Sequence, residues 1–128
     1  MAALNENAIT KVETVSGVDM KTAATKTILY TVPHGKVFYP MFVVVREPSA
    51  TLLGGSDYDF GTGALCNTWR QAVSLISMTT ALTDFMVISG VDVTKYTDCA
   101  ELTEFGIYVN TGSTGVATAT IDVFGILA

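Results

Sequence analysis

The sequence predicts an all-β, single-domain protein, a β-sandwich of seven or eight short antiparallel strands. Short segments alternate between apolar and polar residues, as half-buried strands do. Clusters of Gly, Pro, Ser, Asn and Asp separate these segments at the intervals typical of sandwiches. No segment has the length and period of an amphipathic helix, and 128 residues suit one domain. The jelly roll is the favoured arrangement, and an open β-barrel is the alternative.

The first strands follow a polar, aperiodic N-terminus. We expect residues 1–9 to form a flexible arm and residues 10–128 to form the sandwich domain. An imperfect alternation over Ile9–Val15 predicts a short edge strand that ends in a turn at Ser16-Gly17. The cleaner alternation over Thr25–Val32 predicts the second strand, with Ile, Tyr and Val side chains on one face.

The segment Pro33-His34-Gly35-Lys36 predicts a tight turn, because proline fixes φ and glycine accepts positive φ. The turn leads as a hairpin or corner into Val37–Arg46, which is apolar on both faces and therefore expected in the middle of a sheet. Pro40 lacks an N–H, so it marks a bulge or a change of pairing. One apolar face of this strand is expected to carry Val37, Tyr39, Met41, Val43 and Val45.

The part of the chain after residue 56 supplies the remaining predicted strands. They are Asp57–Gly61, Ala72–Ser77, Phe85–Ser89, Glu104–Asn110 and Val116–Leu127. Aromatic and aliphatic residues at alternate positions of these strands are expected to point inward. They are Tyr58, Phe60, Phe105, Ile107, Val109, Ala117, Ala119, Ile121 and Val123. The last two strands are separated by a turn rich in Gly and hydroxyl side chains, which predicts a hairpin.

Composition excludes several partners. The formal net charge is −5, and the seven Lys and Arg residues are scattered, which excludes nucleic acid and argues against an anionic membrane. The longest apolar run, Val37–Val45, is too short to span a bilayer. The start MAALNENAIT lacks the features of a secretory signal, so we expect synthesis and folding in the cytoplasm.

The charged fraction of 15% is low against about 25% in ordinary soluble domains. Two explanations stay open at this point. In the first, the surface consists of Thr, Ser and Gly rather than of charged residues, as in many small all-β domains. Alternatively, other subunits cover much of the surface, because obligate interfaces are more apolar than ordinary surface.

No catalytic, cofactor or metal set emerges from the residue types and their spacing, and we expect a protein that is not an enzyme. His34 is the single histidine and is expected as an exposed turn residue. Cys66 and Cys99 lack metal-ligand spacing and are expected to be reduced thiols, although a disulfide stays open. Asp57 and Asp59 share a strand face that is expected to be solvated, with calcium binding by acidic loops as the weaker alternative.

A second hypothesis for the function, carbohydrate binding, rests on Trp69. Carbohydrate-binding sandwiches use exposed aromatic side chains, and Trp69 lies in a polar loop beside Arg70 and Gln71. We expect it to be the most accessible aromatic residue. A carbohydrate- or receptor-binding module of a phage tail or fibre is therefore the second hypothesis.

Two segments of the chain carry a family resemblance: TKTILYTVPHGKVFYPMFVVVRE and the C-terminal ATATIDVFGILA. These segments resemble small structural proteins of tailed bacteriophages. The shared features are an alternating strand ending in Y-T-V-P-x-G-K, an apolar F-x-P-x-x-V-V-V-R strand and a last strand ending in V-F-G. The class that they resemble is that of the capsid decoration, or cement, proteins. The resemblance covers roughly residues 25–46 and 104–128, and the segment between them matches no pattern.

The resemblance implies a jelly-roll or related β-fold, assembly as a homotrimer, the major capsid protein as partner, and the capsid surface of the virion as location. The implied role is to bind and stabilise the capsid. No binding residue carries over from the class. The candidate partner contacts come from the arm, the apolar strand and the Trp69 loop of this chain: Leu4, Asn5, Tyr39, Met41 and Trp69.

Overall fold

A computed structural model describes residues 8–90 and 97–128 of the chain. Within these ranges the chain forms eight strands and no helix, which confirms the predicted all-β class. The strands are β1 (Thr10–Asp19), β2 (Thr25–Thr31), β3 (Phe38–Arg46), β4 (Asp57–Thr62), β5 (Arg70–Val73), β6 (Phe85–Ser89), β7 (Glu104–Thr111) and β8 (Thr118–Leu127).

The strands form two four-stranded sheets. The first sheet has the order β1-β8-β3-β6, and the second has the order β2-β7-β4-β5. All pairs are antiparallel, and they match β1 with β8, β2 with β7, β3 with β6 and β4 with β5. The chain is thus one long double-stranded ribbon folded over onto itself, which is the strand order of a jelly roll. Neither sheet closes on itself or on the other, so the sandwich replaces the open-barrel alternative.

The two predicted tight connections join different sheets. Lys36 N donates to Pro33 O at 3.2 Å, and Gly35 adopts a φ of 78°, so His34 and Gly35 are the central residues of the turn. Because β2 and β3 lie in different sheets, this turn is a corner and not a hairpin. The predicted hairpin of the last two strands is wrong for the same reason, since β7 pairs with β2 and β4 whereas β8 pairs with β1 and β3.

Two strand boundaries differ from prediction. The turn expected at Ser16-Gly17 lies inside β1, where the register shifts between Val15 and Val18. Gly17 has a φ of 68°, so it forms a bulge that bends the strand without ending it. The strand expected over Ala72–Ser77 is the shorter β5, which begins at Arg70 and leaves the sheet after Val73.

Strand β3 occupies the middle of the first sheet, as predicted, between β8 and β6. Its register with β8 shifts between Pro40 and Phe42, which confirms the predicted bulge. The extra residue reverses the alternation. Phe38 before the bulge and Val43 after it are both fully buried, whereas Tyr39 is half-buried on the outer side. The expected single face through Tyr39, Met41, Val43 and Val45 is therefore wrong.

The core lies between the sheets and contains a line of aromatic rings. Tyr30 contacts Phe38 edge-on at 5.1 Å between centroids, Phe38 contacts Phe105 at 6.1 Å, and Phe105 contacts Trp69 at 5.5 Å. The residues predicted to point inward from β4, β7 and the segment ending in β8 are buried, which confirms those alternations. The line starts at β2 in the second sheet, crosses to β3 in the first sheet and returns to β7 in the second sheet before it ends in the β4–β5 loop. It therefore holds the two sheets together.

Gly125 is required where Phe38 crosses β8. A Cβ added at Gly125 would lie 2.4 Å from Phe38 Cε1 and 2.4 Å from Tyr39 O. Because neither the backbone of Tyr39 nor the packed ring of Phe38 can move away freely, we expect Gly125→Ala to lower the free energy of unfolding by about 1–3 kcal/mol. Urea unfolding followed by circular dichroism measures this. Gly115→Ala is the control, because nothing lies within 4 Å of its added Cβ, and an unfolding midpoint equal to that of G125A would contradict the packing account.

Candidate functional site

The outer face of the first sheet is the most apolar described surface that the sandwich leaves uncovered. Alternation places large side chains of β3, β6 and β8 on it, opposite to the buried residues of the same strands. We call this surface the apolar face and define it by Phe42, Val44, Phe85, Val87, Phe124 and Ile126.

Cross-strand pairing makes the apolar face continuous. Val44 of β3 lies opposite Val87 of β6, and Phe42 lies opposite Phe124 of β8. The rings of Phe42 and Phe124 stack at 4.6 Å between centroids with an interplanar angle of 16°. Val87 is 55% exposed, and Phe85 at the start of β6 is 68% exposed. Apolar side chains on three neighbouring strands therefore lie side by side, although Val44 lies opposite Asp122 on β8 and Phe42 lies opposite Ser89 on β6.

The edge of the apolar face is strand β6, and it lacks the protections that the other end strands of the described sheets carry. Strands β1 and β2 contain lysines and register shifts, and the four-residue β5 begins with Arg70. The β6 sequence FMVIS has neither charge nor proline, and its register with β3 is unbroken. Natural proteins guard such edges against pairing with other chains, so β6 is the edge most suited to meeting one.

An ion pair neutralises the polar part of the same sheet face. Arg46 Nε donates to Asp122 Oδ2 at 2.7 Å, and Thr14 Oγ1 donates to Asp122 Oδ1 at 2.7 Å. Arg46 also lies 3.0 Å from the carboxylate of Glu47. Asp122 is buried beneath these partners. Burial by itself raises the pKa of Asp122, but hydrogen bonds from Arg46 and Thr14 outweigh it and hold that pKa below its ordinary value.

The predicted partner contacts lie in several places. Tyr39 is half-buried on the outer side of β3, and Met41 is half-buried within the bulge beside the apolar face. Leu4 and Asn5 lie outside the described residues. The sequence did not single out Phe85, Val87 or Phe124, although the unbroken apolar run of β6 is a signal that both faces of that strand are apolar.

The expectation of an exposed Trp69 is wrong. The side chain is 6% exposed and its ring packs edge-on against Phe105. A Cβ added at Gly90 would lie 2.8 Å from the indole nitrogen, so the chain after β6 closes over the ring. Trp69 N donates to Phe60 O, which ties the end of the polar loop to β4 and turns the ring inward.

The other candidate chemical groups form local structure. His34 is exposed, as expected, with Nδ1 at 2.7 Å from Glu101 Oε2, and the same oxygen accepts from Gly35 N at 2.6 Å. Asp59 is buried, which differs from the predicted solvated face, and accepts hydrogen bonds from Ala72 N and from Asn110. Over residues 8–90 and 97–128, no group of three His, Cys, Asp or Glu side chains is placed to bind a metal.

Both cysteines are buried and free, in agreement with the expected reduced thiols. Cys99 lies in the core, where its segment bridges to Phe38. Cys66 lies on the outer side of the second sheet, where a Cβ added at Gly106 would meet its sulfur at 3.2 Å. Burial raises the pKa of each thiol to about 11. Neither thiol has the depressed pKa of a reactive nucleophile.

Comparison with known proteins found no matching family model, no matching curated protein and no matching solved structure. The described part of the chain also contains no helix long and apolar enough to cross a membrane.

Asp122→Asn tests the ion pair through its pH dependence. The folded-state pKa of Asp122 lies below the ordinary value of 3.8, so its charge stabilises the fold above that value, and this stabilisation is lost as the pH falls through the folded-state pKa. We expect D122N to be less stable at pH 7 by about 1–3 kcal/mol and to lose less stability on acidification than the wild type. Urea midpoints at pH 7 and pH 3 measure both effects, with the exposed Asp98→Asn as control. Equal acid sensitivity of D122N and wild type would refute the role of the pair.

The buried thiols predict slow labelling. At pH 8 a thiol with a pKa of about 11 is almost entirely protonated, and the reagent must also reach it through the fold. We expect a colorimetric disulfide reagent to react slowly with the native protein and to titrate two thiols after unfolding in guanidinium. Rapid reaction of either cysteine in the native protein would show that its segment opens readily.

Proposed function

We propose that this chain is a non-enzymatic structural protein of a phage virion. It assembles as a homo-oligomer, with the trimer as the expected form, and it binds the capsid surface as a decoration protein. The family resemblance of the strand motifs implies a jelly roll, and the described strands have that order, which supports the proposal as far as the fold is concerned. The observation that carries the proposal is the apolar face with its unguarded edge at β6.

The apolar face supplies part of the area that self-association needs. Strands lie about 4.8 Å apart and rise about 3.4 Å per residue, so the three strands that carry the face, crossed along the five residues of β6, cover roughly 14 by 17 Å, on the order of 250 Å². A specific interface buries about 800 Å² on each partner. The face thus supplies the apolar centre of one side of such an interface, and the β6 edge and the neighbouring residues of the sheet supply the rest.

The apolar face also has the charge that self-association needs. Two copies of a chain with a net charge of −5 repel each other at long range, so their contact must be locally neutral. Arg46 and Asp122 neutralise one another within the sheet, and the six defining residues carry no charge. A second copy can therefore meet these six side chains without burying a charge, while Lys11, opposite Phe124, and Glu47, which shares Arg46 with Asp122, lie at the border of the contact.

Stabilisation of a capsid follows from mass action. A subunit that binds only the assembled shell shifts the equilibrium toward assembly, and the shift grows with the free concentration above the dissociation constant. This role requires binding surfaces and no reacting groups. The carbohydrate-binding alternative loses the residue that supported it, because a buried Trp69 offers no ring face to a sugar.

Val87→Lys tests the self-association. A lysine at this half-exposed position places a charge in the middle of the proposed interface, so we expect the variant to fold and to run as a monomer of 13.6 kDa. The wild type is expected at three times that mass. Light scattering after size exclusion measures both. Ile28→Lys is the matched control, since Ile28 is an exposed β-branched residue on a strand of the second sheet, and it should keep the wild-type mass.

Shell binding is tested by sedimenting the protein with empty capsids assembled from the major capsid protein of the same genome. Co-sedimentation with a saturating stoichiometry is expected. A wild type that is monomeric at all concentrations and stays in the supernatant would rule out the proposed function.

A further inference from the structure

Strand β6 leaves part of its backbone unpaired at the edge of the first sheet. Glu47 N donates to Asp84 O at 3.2 Å, one residue before β6 begins, and the bonded positions of an antiparallel pair recur at every second residue. The odd-numbered residues of β6 therefore turn their N–H and C=O groups away from β3. Among these, the backbone groups of Phe85 and Val87 have no hydrogen-bond partner in the described part of the chain. The edge is thus open to an extended segment.

The side chains along this edge favour an apolar neighbour on both sides of the sheet. Phe85 and Val87 are exposed on the apolar face, whereas Met86 is half-buried on the opposite side and packs against the core. The strand itself carries no charge. An extended segment that pairs with the edge gains main-chain hydrogen bonds, and its alternate side chains continue the apolar face.

A cation marks one end of the same edge. Arg70 Nη1 donates to Ser89 O at 2.9 Å, so the guanidinium lies beside the last outward carbonyl of β6. Over residues 8–90 and 97–128, no carboxylate forms an ion pair with Arg70. A guanidinium has five N–H donors, so donors of Arg70 remain for an acidic group. The edge therefore favours a segment that is apolar along its length and acidic at one end.

The strands of a second copy fit this edge poorly. Strands β1 and β2 contain lysines and register shifts, and β5 has only four residues. Pairing of β6 with another β6 closes about a two-fold axis, which a cyclic trimer lacks. A trimer of this chain therefore needs a segment outside the eight described strands to fill the edge.

Residues 1–7, with the sequence MAALNEN, have the composition that the edge favours. They contain no Lys, Arg or Pro, and Glu6 is their one charged side chain. Leu4 lies two residues before Glu6, so in an extended segment both side chains point to the same face. The same spacing separates Val87 from the last residue of β6. Parallel pairing in which Leu4 neighbours Val87 therefore brings Glu6 to the end of β6 that Arg70 occupies.

The chain enters β1 near the level at which β6 ends. Thr10 lies opposite Gly125, which pairs with the start of β3, and Ser89 lies opposite Phe42. The backbone bends at Ala8, so the chain before it leaves the line of β1 at this level. Strands β8 and β3 separate β1 from β6 of the same copy by three strand spacings, about 14 Å. A neighbour whose β1 edge adjoins this β6 edge brings its own N-terminal segment directly to it.

We propose that residues 2–6 of one copy add a fifth strand to the first sheet of its neighbour, parallel to β6. Leu4 then extends the apolar face beside Val87, and Glu6 pairs with Arg70 of the neighbouring copy. This inference rests on the proposed homo-oligomer and names the segment that joins its copies. Main-chain hydrogen bonds supply affinity, and the pair of opposite charges sets the register. Exchange of a segment between identical copies is a low-cost route to oligomers.

Exchange of the two charges tests the register. Glu6→Arg and Arg70→Glu each place like charges side by side, so we expect each single variant to raise the dissociation constant of the oligomer about tenfold. The double variant restores opposite charges and should return the constant toward that of the wild type. Glu6→Arg combined with Lys21→Glu is the control without rescue, because Lys21 is exposed in the β1–β2 connection. Light scattering over a dilution series measures all four proteins.

Disulfide trapping tests whether the contact joins different copies. Leu4→Cys and Val87→Cys are made on separate chains, which are mixed, unfolded, refolded together and oxidised. We expect a disulfide between the two different chains, identified by mass spectrometry. The native thiols are buried and interfere little. Leu4→Cys mixed with Ile28→Cys is the matched control, since Ile28 is exposed on the second sheet and should give no link.

The outcomes separate the inference from the proposed function. If the rescue or the link is missing while the wild type keeps its oligomeric mass, the inference is wrong and the proposed function stands. A wild type that is monomeric at all concentrations and stays in the supernatant with empty capsids refutes both. A link within single chains that carry L4C and V87C together would show that the segment covers its own edge. If removal of residues 2–7 keeps the mass but abolishes co-sedimentation with capsids, the segment docks on the shell. Either of these last results overturns the inference.

Discussion

The structure depends on a central strand that is apolar on both faces. Strand β3 lies between β8 and β6, and its bulge after Pro40 allows Phe38 and Val43 to point into the same core although their spacing is odd. Without the extra residue, one half of the strand would point its apolar side chains outward. The same geometry leaves Phe42 and Val44 on the outer side. One strand therefore contributes both to the core, through Phe38 and Val43, and to the apolar face, through Phe42 and Val44.

The sequence predicted the strands well because a period of two records which face is buried. It did not predict their partners, since a strand that continues in the same sheet and a strand that crosses to the other sheet have the same alternation. The predicted hairpin of the last two strands failed for this reason, and the turn at Pro33–Lys36 proved to be the corner rather than the hairpin of its two alternatives. Trp69 was misplaced because its burial depends on Gly90 and Phe105, which are distant in sequence. The apolar face was partly visible in the two-sided apolar pattern of β3, but β6 contributes to it through long-range pairing.

The ion pair between Arg46 and Asp122 has a role that the apolar residues around it cannot fill. Apolar contacts are non-directional, so two flat apolar faces can slide over one another. The ion pair is fixed at one place on the sheet, and Thr14 donates to the same carboxylate. Covering these polar groups with apolar side chains of a second copy costs free energy, so alignments of the two faces that do so are disfavoured. In the proposed assembly, the ion pair contributes to register and partner choice more than to affinity.

The low charge of the chain has a specific distribution. Ion pairs and capping hydrogen bonds engage Arg46, Asp122, Asp84 and Asp19, while β6 and the β7–β8 connection over 112–117 have no charge at all. An uncharged edge strand and exposed leucines favour aggregation in a protein that works as a monomer, and charges would reduce that risk at little cost in stability. We therefore propose that partners cover the β6 edge and the exposed leucines, which explains the low charge better than a surface that merely substitutes threonine and serine for charge.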